Sequence, residues 1–171
     1  MSFTIIEGDL FDPELGFTSL AQGTNCRGVM GAGIAVPFKE KYPDMFDTYE
    51  ALCLKAPHLL PGTAQVFLMD ADDDRPDVIN IFSQFNPGEG NATYEYLERG
   101  LHSMDQQLTL LTDAAQILIS AIIPFHKRHP FNVGLPLIGG GIGGLKRHNI
   151  IHLMEMVLSD SEHSYTLVER V

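Results

Sequence analysis

A chain of 171 residues is long enough for one domain with a sizeable core, and 44% hydrophobic with 19% charged residues is ordinary globular composition, which argues against long disorder. A formal net charge of −11 repels nucleic acid and anionic membranes, so direct affinity for either is not expected. The longest apolar run, Ile117 to Phe125, is well short of the ~18 residues that cross a bilayer, MSFTIIEGD carries no signal-peptide pattern, and two cysteines, Cys26 and Cys53, favour a cytoplasmic address over a disulfide framework.

In chain order, Phe3 to Ile6 reads as a short strand, and Leu10 to Phe17, with Pro13 and Gly16, as loop. Thr18 to Ala21 reads as a second strand leading into a polar loop with Asn25 and Cys26. A helix from Ile34 to Tyr42 follows and is stopped by Pro43. Asp44 is placed to cap a second helix whose apolar face is Phe46, Tyr49, Leu52 and Cys53. Thr63 to Met69 and Val78 to Phe82 read as strands around an acidic loop, and Ser83 to Asn91 as a polar loop ending in a cap at Asn91. A long helix then carries Tyr94, Leu97, Leu101, Met104, Leu108 and Leu111 on one face. Ala114 to Ile123 fits a continuing helix better than a strand. His126 to His129 is the one basic cluster, and Phe131 to Leu137 is a strand whose Pro136 marks an end or a distorted edge. A helix with Ile150, Ile151, Met154, Val157 and Leu158 and a strand from Tyr165 to Val168 close the chain. Strands alternating with helices, with no repeat and no linker, predict a single α/β domain with a mixed sheet between helical layers.

Two glycine-rich stretches stand at the carboxyl ends of predicted strands, each followed by a helix. They are Gly31-Ala32-Gly33-Ile34 and Ile138-Gly139-Gly140-Gly141-Ile142-Gly143-Gly144. Open α/β sheets bind ligands there, and glycine lets backbone approach a ligand with no Cβ in the way. Backbone N–H groups at such turns hold an anion without a Lys/Arg cluster, so a diphosphate clamped between the two loops is the expectation. Neither stretch has the Gly-Lys-Ser/Thr of nucleoside triphosphatases or the dinucleotide fingerprint with its acidic residue about 20 positions on.

Other candidates are weaker. Asp70 to Asp74 lack the glycine and distal glutamate of a calcium loop. His148 and His152 share a helix face without a third ligand, so no metal is expected. Cys26 has no base partner and reads as a passive small residue. Phe131 and Phe85 read equally as core or as adenine-stacking rings.

The chain resembles a macrodomain, the ADP-ribose-binding three-layer α/β/α module with a central mixed sheet, over nearly its whole length. Glu7-Gly8-Asp9-Leu10 is similar to the family's early Gly-Asp motif. Gln22-Gly23-Thr24-Asn25 stands in place of its first asparagine loop, and Leu135 to Leu145 resembles its diphosphate-wrapping loop. Met30 to Ala35 with Phe38 to Lys41 is similar to the branch of terminal ADP-ribose glycohydrolases and yeast-type ADP-ribose-1″-phosphate phosphatases.

The resemblance implies that Asp9, with Leu10, meets adenine, that Gly139–Gly144 with Ile138 wrap the diphosphate, and that Asn25 with Gly31–Ile34 hold the distal ribose. It implies a partner that is ADP-ribose or an ADP-ribosylated molecule, no cofactor, and a monomer. The chain also departs from that branch. Gln84-Phe85 and Gly143 stand where the glycohydrolases have a nucleophilic lysine and an assisting aspartate, and Gln22 where the phosphatases have a histidine. Any hydrolysis is then expected to use a substrate-assisted water, with Asn25 and Gln22 as the catalytic positioning residues. The alternative is a non-catalytic reader of ADP-ribose.

Overall fold

The computed structural model describes residues 2–119 and 130–171. Its elements in chain order are β1 (Ser2–Glu7), β2 (Ser19–Thr24), α1 (Ala35–Lys41), α2 (Pro43–Lys55), β3 (Ala64–Phe67), β4 (Asp77–Phe82), α3 (Tyr94–Ile119), β5 (Asn132–Leu135), α4 (Arg147–Leu158) and β6 (Ser164–Glu169). The six strands form one sheet in the order β1-β6-β5-β2-β4-β3. All neighbours pair in parallel except β3, which runs antiparallel to β4 at one edge. This is the mixed α/β sheet that the alternating elements predict.

The period-2 side-chain alternation of the strands sends residues to two cores. Ile79 and Ile81 of β4 join Val133, Leu135 and Leu167 under α3 and α4, which contribute Leu97, Leu101, Met104, Leu108, Ile150 and Met154. Val78 and Phe82 face the other way, against Phe38 of α1 and Met45, Tyr49 and Cys53 of α2. The sheet is therefore the middle of three layers. Each fully buried leucine on α3 stabilises the packing by about 2 kcal/mol, which is why the i, i+4, i+7 stripe reads so clearly in the sequence.

Several boundaries and caps differ from the sequence reading, and these have a clear physical reason. β2 continues through Gln22, Gly23 and Thr24, which the reading assigned to loop. The polar Gln22 fits a buried strand because it stands in register with Asn80, and Asn80 with Gln65. Gln22 Nε2 donates to Asn80 Oδ1 at 2.9 Å, and Asn80 Nδ2 donates to Gln65 Oε1 at 3.1 Å. Pro43 ends α1 and also opens α2, where its missing N–H costs nothing. Tyr42, not Asp44, is the N-cap of α2, with Asp44 in the first turn. Asn91 does not cap α3 but donates from Nδ2 to the Pro87 carbonyl, while Thr93 Oγ1 accepts from the Tyr96 N–H.

Pro136 lies one residue past β5, a strand end; β5 itself is central, between β6 and β2. The helical reading of Ala114 onward holds through Ile119. Ser120 to Ile123 and the basic cluster His126 to His129 lie outside the described residues.

Candidate functional site

Parallel strands β5, β2 and β4 are adjacent, and their carboxyl ends open into a cleft of about 580 Å³. Three loops wall it: the β2–α1 loop, the β4–α3 loop and the β5–α4 loop. No lining side chain among the described residues is ionisable.

The β5–α4 loop is built by its glycines. Gly139 and Gly144 both sit at φ +81, in the left-handed region where a Cβ is strained. A Cβ on Gly140 would come within 2.5 Å of Leu137, and one on Gly143 within 2.7 Å of the Gly139 carbonyl oxygen and 2.8 Å of the Ala92 Cβ. Turn bonds from Gly140 N–H to Leu137 O and from Leu145 N–H to Gly139 O close the loop, and Gly90 N–H donates to Ile142 O from the neighbouring loop. These bonds leave the N–H groups of Gly139, Gly141, Ile142 and Gly143 donating to no other described residue.

The β2–α1 loop makes the facing wall. Gly33, at φ +60, turns the chain, and a Cβ on it would stand 3.7 Å from Ile142 Cδ1, so the two loops approach each other here. The N–H groups of Ala32, Gly33, Ile34 and Ala35 likewise donate to no other described residue. Unpaired backbone donors on both walls are the arrangement that holds an anion without charged side chains.

Asn25 lines the cleft, and its side chain also organises this loop. Oδ1 accepts from the N–H groups of Arg27 and Val29, and Nδ2 donates to Val29 O at 2.7 Å. The buried Tyr49 hydroxyl, from α2, reaches both the Asn25 carbonyl at 2.8 Å and Asn25 Oδ1 at 3.0 Å. Burial pushes the Tyr49 phenol far above its ordinary range, so it is a fixed neutral donor. Cys26 is fully buried, and burial followed by the neighbouring Cys53 pushes its thiol up to about 12. That leaves it without thiolate character, as the passive reading has it.

The structure brings together Asn25, Gly31, Ala32, Gly33, Ile34, Ile138, Gly139, Gly141, Ile142 and Gly143 around one cleft. Gly140 and Gly144 shape the loop from outside it. Gln22 is fully buried below the cleft, tied to Asn80, and presents nothing to it. Asp9 and Leu10 also lie outside the cleft, beyond β1 at the sheet edge. Asp9 is exposed; Oδ1 accepts the Phe11 N–H at 3.0 Å, and Oδ2 bonds to no other described residue. Leu10 is buried in the core. Phe131 precedes β5 at the opposite end of the sheet and is core, not a ring for adenine. Phe85 stacks on His58 at 5.2 Å.

Ser83, which sequence reasoning missed, also lines the cleft, as do Gly23 and Pro136, which stand in the two resembling motifs without a contact of their own in the sequence reading. Gln84 lines it too, with Nε2 held by the Asn86 carbonyl at 2.9 Å. Among the described residues, no three metal-ligating side chains cluster, and His148 with His152 remains an exposed pair. No helix among them is long and apolar enough to cross a membrane.

No family model matches the chain. A curated relative, the DNA ADP-ribosyl glycohydrolase of Mycobacterium tuberculosis, is 29% identical over 128 residues, which is 74% of this chain and 31% of that protein. The ADP-ribose 1″-phosphate phosphatase of Aspergillus clavatus is 50% identical over 50 residues, 29% of this chain and 25% of that protein. The matched part is thus under a third of the length of either relative. Among solved structures, the macrodomain of Thermus aquaticus DarG superposes with a TM-score of 0.76 at 22% identity, covering 98% of this chain and 97% of that one. Thermosipho africanus DarTG in complex with ADP-ribose superposes at 0.77 and 19% identity, covering 99% of this chain and 42% of that one. The three layers, the mixed sheet and the near-complete superposition lead to one conclusion: this chain has the macrodomain fold.

Proposed function

We propose that residues 1–171 form one macrodomain that binds ADP-ribose or a close derivative in the cleft. The observation that carries this is the facing set of unpaired N–H groups, Ala32–Ala35 on one wall and Gly139, Gly141, Ile142 and Gly143 on the other, in a cleft without ionisable side chains. A diphosphate fits such donors, and with no Lys or Arg among the described residues that line the cleft it is held there by local, oriented dipoles. Asp9, with one carboxylate oxygen uncommitted, accepts the adenine amino group, and the wall of Asn25 and Gly31–Ile34 meets the distal ribose. The solved relative with ADP-ribose bound supports this reading, and two buried free thiols suit a reducing, cytoplasmic setting.

Recognition is favoured over turnover. Gln84 offers a carboxamide where the glycohydrolase branch has its amine. Gly143, where that branch has its carboxylate, has no room for a Cβ. A second reading, hydrolysis of an ADP-ribose linkage or of its terminal phosphate, is supported by the activities of the two curated relatives. On that reading a water held between the diphosphate and the loops attacks, with Asn25 fixing the wall that positions it.

Calorimetric titration with ADP-ribose tests the binding. Micromolar affinity that is lost in Asp9→Ala is expected, and no binding at millimolar ligand overturns it. Incubating the same sample with ADP-ribose-1″-phosphate, an ADP-ribosylated peptide and an ADP-ribosylated oligonucleotide then separates reader from enzyme by product release.

A further inference from the structure

We propose that the Ser83 hydroxyl is a ligand contact at the floor of the cleft and that it selects for the second sugar of the ligand. The proposal rests on the reading of the cleft as an ADP-ribose site.

Ser83 is the first residue after β4, only 1% exposed, and it lines the cleft. Alternation along β4 aims it to the same side as Ile79 and Ile81, towards Gly23 and Ile138. Its backbone carbonyl accepts the Thr93 N–H, but its hydroxyl bonds to no other described residue. The other polar side chains of the cleft are engaged. Thr24 Oγ1 donates to Ile81 O at 3.4 Å, Asn25 holds its own loop, and Gln84 Nε2 donates to Asn86 O. The hydroxyl opens on the cleft, so water meets it in the free protein and a ligand hydroxyl can take that water's place.

Gly23 supplies the space above it. A Cβ there would stand 2.9 Å from Ser83 Oγ and 2.7 Å from Ile138 Cγ2, so the small hollow between β2 and β4 exists because residue 23 is glycine.

The strand order says which part of a ligand arrives there. Asp9 follows β1, the glycine loops follow β5 and β2, and Ser83 follows β4. At about 4.8 Å per strand, the glycine loops lie roughly 10–14 Å from the end of β1 and Ser83 roughly 19 Å. With adenine at Asp9 and the diphosphate between the loops, the next group to reach β4 is the distal pentose. A sugar hydroxyl both donates and accepts, as serine does, whereas the loop amides only donate. The ligand class is a nucleoside diphosphate carrying a second pentose with free hydroxyls.

The test titrates wild type, Ser83→Ala and Gly23→Ala with ADP-ribose and with ADP, and records each melting temperature. Ser83→Ala is expected to bind ADP-ribose about five- to tenfold more weakly, to bind ADP unchanged, and to melt close to wild type, because its hydroxyl bonds to no other described residue. Gly23→Ala fills the same hollow but also presses on Ile138, so it is expected to weaken both ligands, ADP-ribose more than ADP, and an equal loss of both counts against the proposal. Ser83→Ala binding both ligands as wild type does, or losing both equally, overturns the proposal while the cleft reading stands. Wild type binding ADP-ribose no better than ADP also overturns it. Wild type binding neither overturns the cleft reading and the proposal together.

Discussion

The cleft and the side-chain cluster around Asp105 and His163 treat polar groups in opposite ways. Beyond the carboxyl ends of β5, β2 and β4, eight backbone N–H groups and the Ser83 hydroxyl border a cleft and bond to no other described residue. At the other end, before β5 and β6, polar side chains are paired with one another. Asp105 Oδ1 accepts from Ser161 Oγ and from Tyr165 Oη, the latter at 2.6 Å. His163 Nδ1 accepts the Phe131 N–H at 3.2 Å, and its Nε2 lies 3.3 Å from Thr109 Oγ1. Ser19 Oγ, at the start of β2 near that end, is buried without a partner among the described residues, so the contrast lies between the cleft and the paired cluster around Asp105 and His163. What points to function at the cleft is the convergence of many uncommitted groups on one concavity, not the mere presence of an unpaired one.

Four changes break or sharpen this contrast. The largest effect is expected from Asp105→Ala. It removes the acceptor of two hydroxyls in the paired cluster and lowers stability by about 3 kcal/mol in chemical denaturation. ADP-ribose affinity of the folded protein should not move, and Asp105→Asn, which keeps Oδ1, should lose less. A fall in affinity with Asp105→Ala would show that the two ends are coupled.

Gly143→Asp returns a carboxylate to the cleft wall, but its Cβ meets Gly139 O and Ala92. The loop must move, and ADP-ribose affinity should fall at least tenfold, about 1.4 kcal/mol, with no turnover gained. Appearance of hydrolase activity in this variant would contradict the packing argument.

Tyr49→Phe removes the donor that reaches both Asn25 oxygens. A stability loss of about 1 kcal/mol is expected, seen as roughly 3 °C in Tm. ADP-ribose and ADP should both bind a few-fold more weakly, since the loop that Tyr49 holds carries the Ala32–Ala35 donors given to the diphosphate.

The smallest effect concerns pH. Burial holds the His163 imidazole below its ordinary range, against the pull of Glu162 and Asp105. The folded state keeps it neutral while the unfolded chain takes up a proton below about pH 6.5. Its contribution is therefore present above that pH and is lost as pH falls from there towards the depressed folded value. A His163→Gln variant should show a flatter stability profile in that acid window, and an unchanged slope would remove His163 as the cause.

Much of this architecture is legible in the sequence because its signals are repetitive. The stripe from Tyr94 to Leu111 and the runs Val78–Phe82 and Tyr165–Val168 each repeat their message over several residues. The two glycine stretches are legible because positive φ and close packing leave few alternatives at Gly139 and Gly143. What depends on tertiary pairing is not. Gln22 reads as a loop residue because nothing local says that Asn80 and Gln65 will stand beside it on neighbouring strands. Asn91 and Thr93 are both plausible caps, and only the chain path chooses Thr93. Ser83 carries no pattern; its meaning comes from Gly23 and Ile138, distant in sequence and adjacent in the cleft.

The most direct test of the central claim is an amide-resolved NMR titration of ¹⁵N-labelled protein with ADP-ribose. The account predicts that the N–H resonances of Ala32–Ala35, Gly139, Gly141, Ile142 and Gly143 shift most and that those around Asp105 and His163 stay in place. Saturating ADP-ribose that leaves these loop amides unmoved, or that shifts the opposite end of the sheet instead, would contradict it.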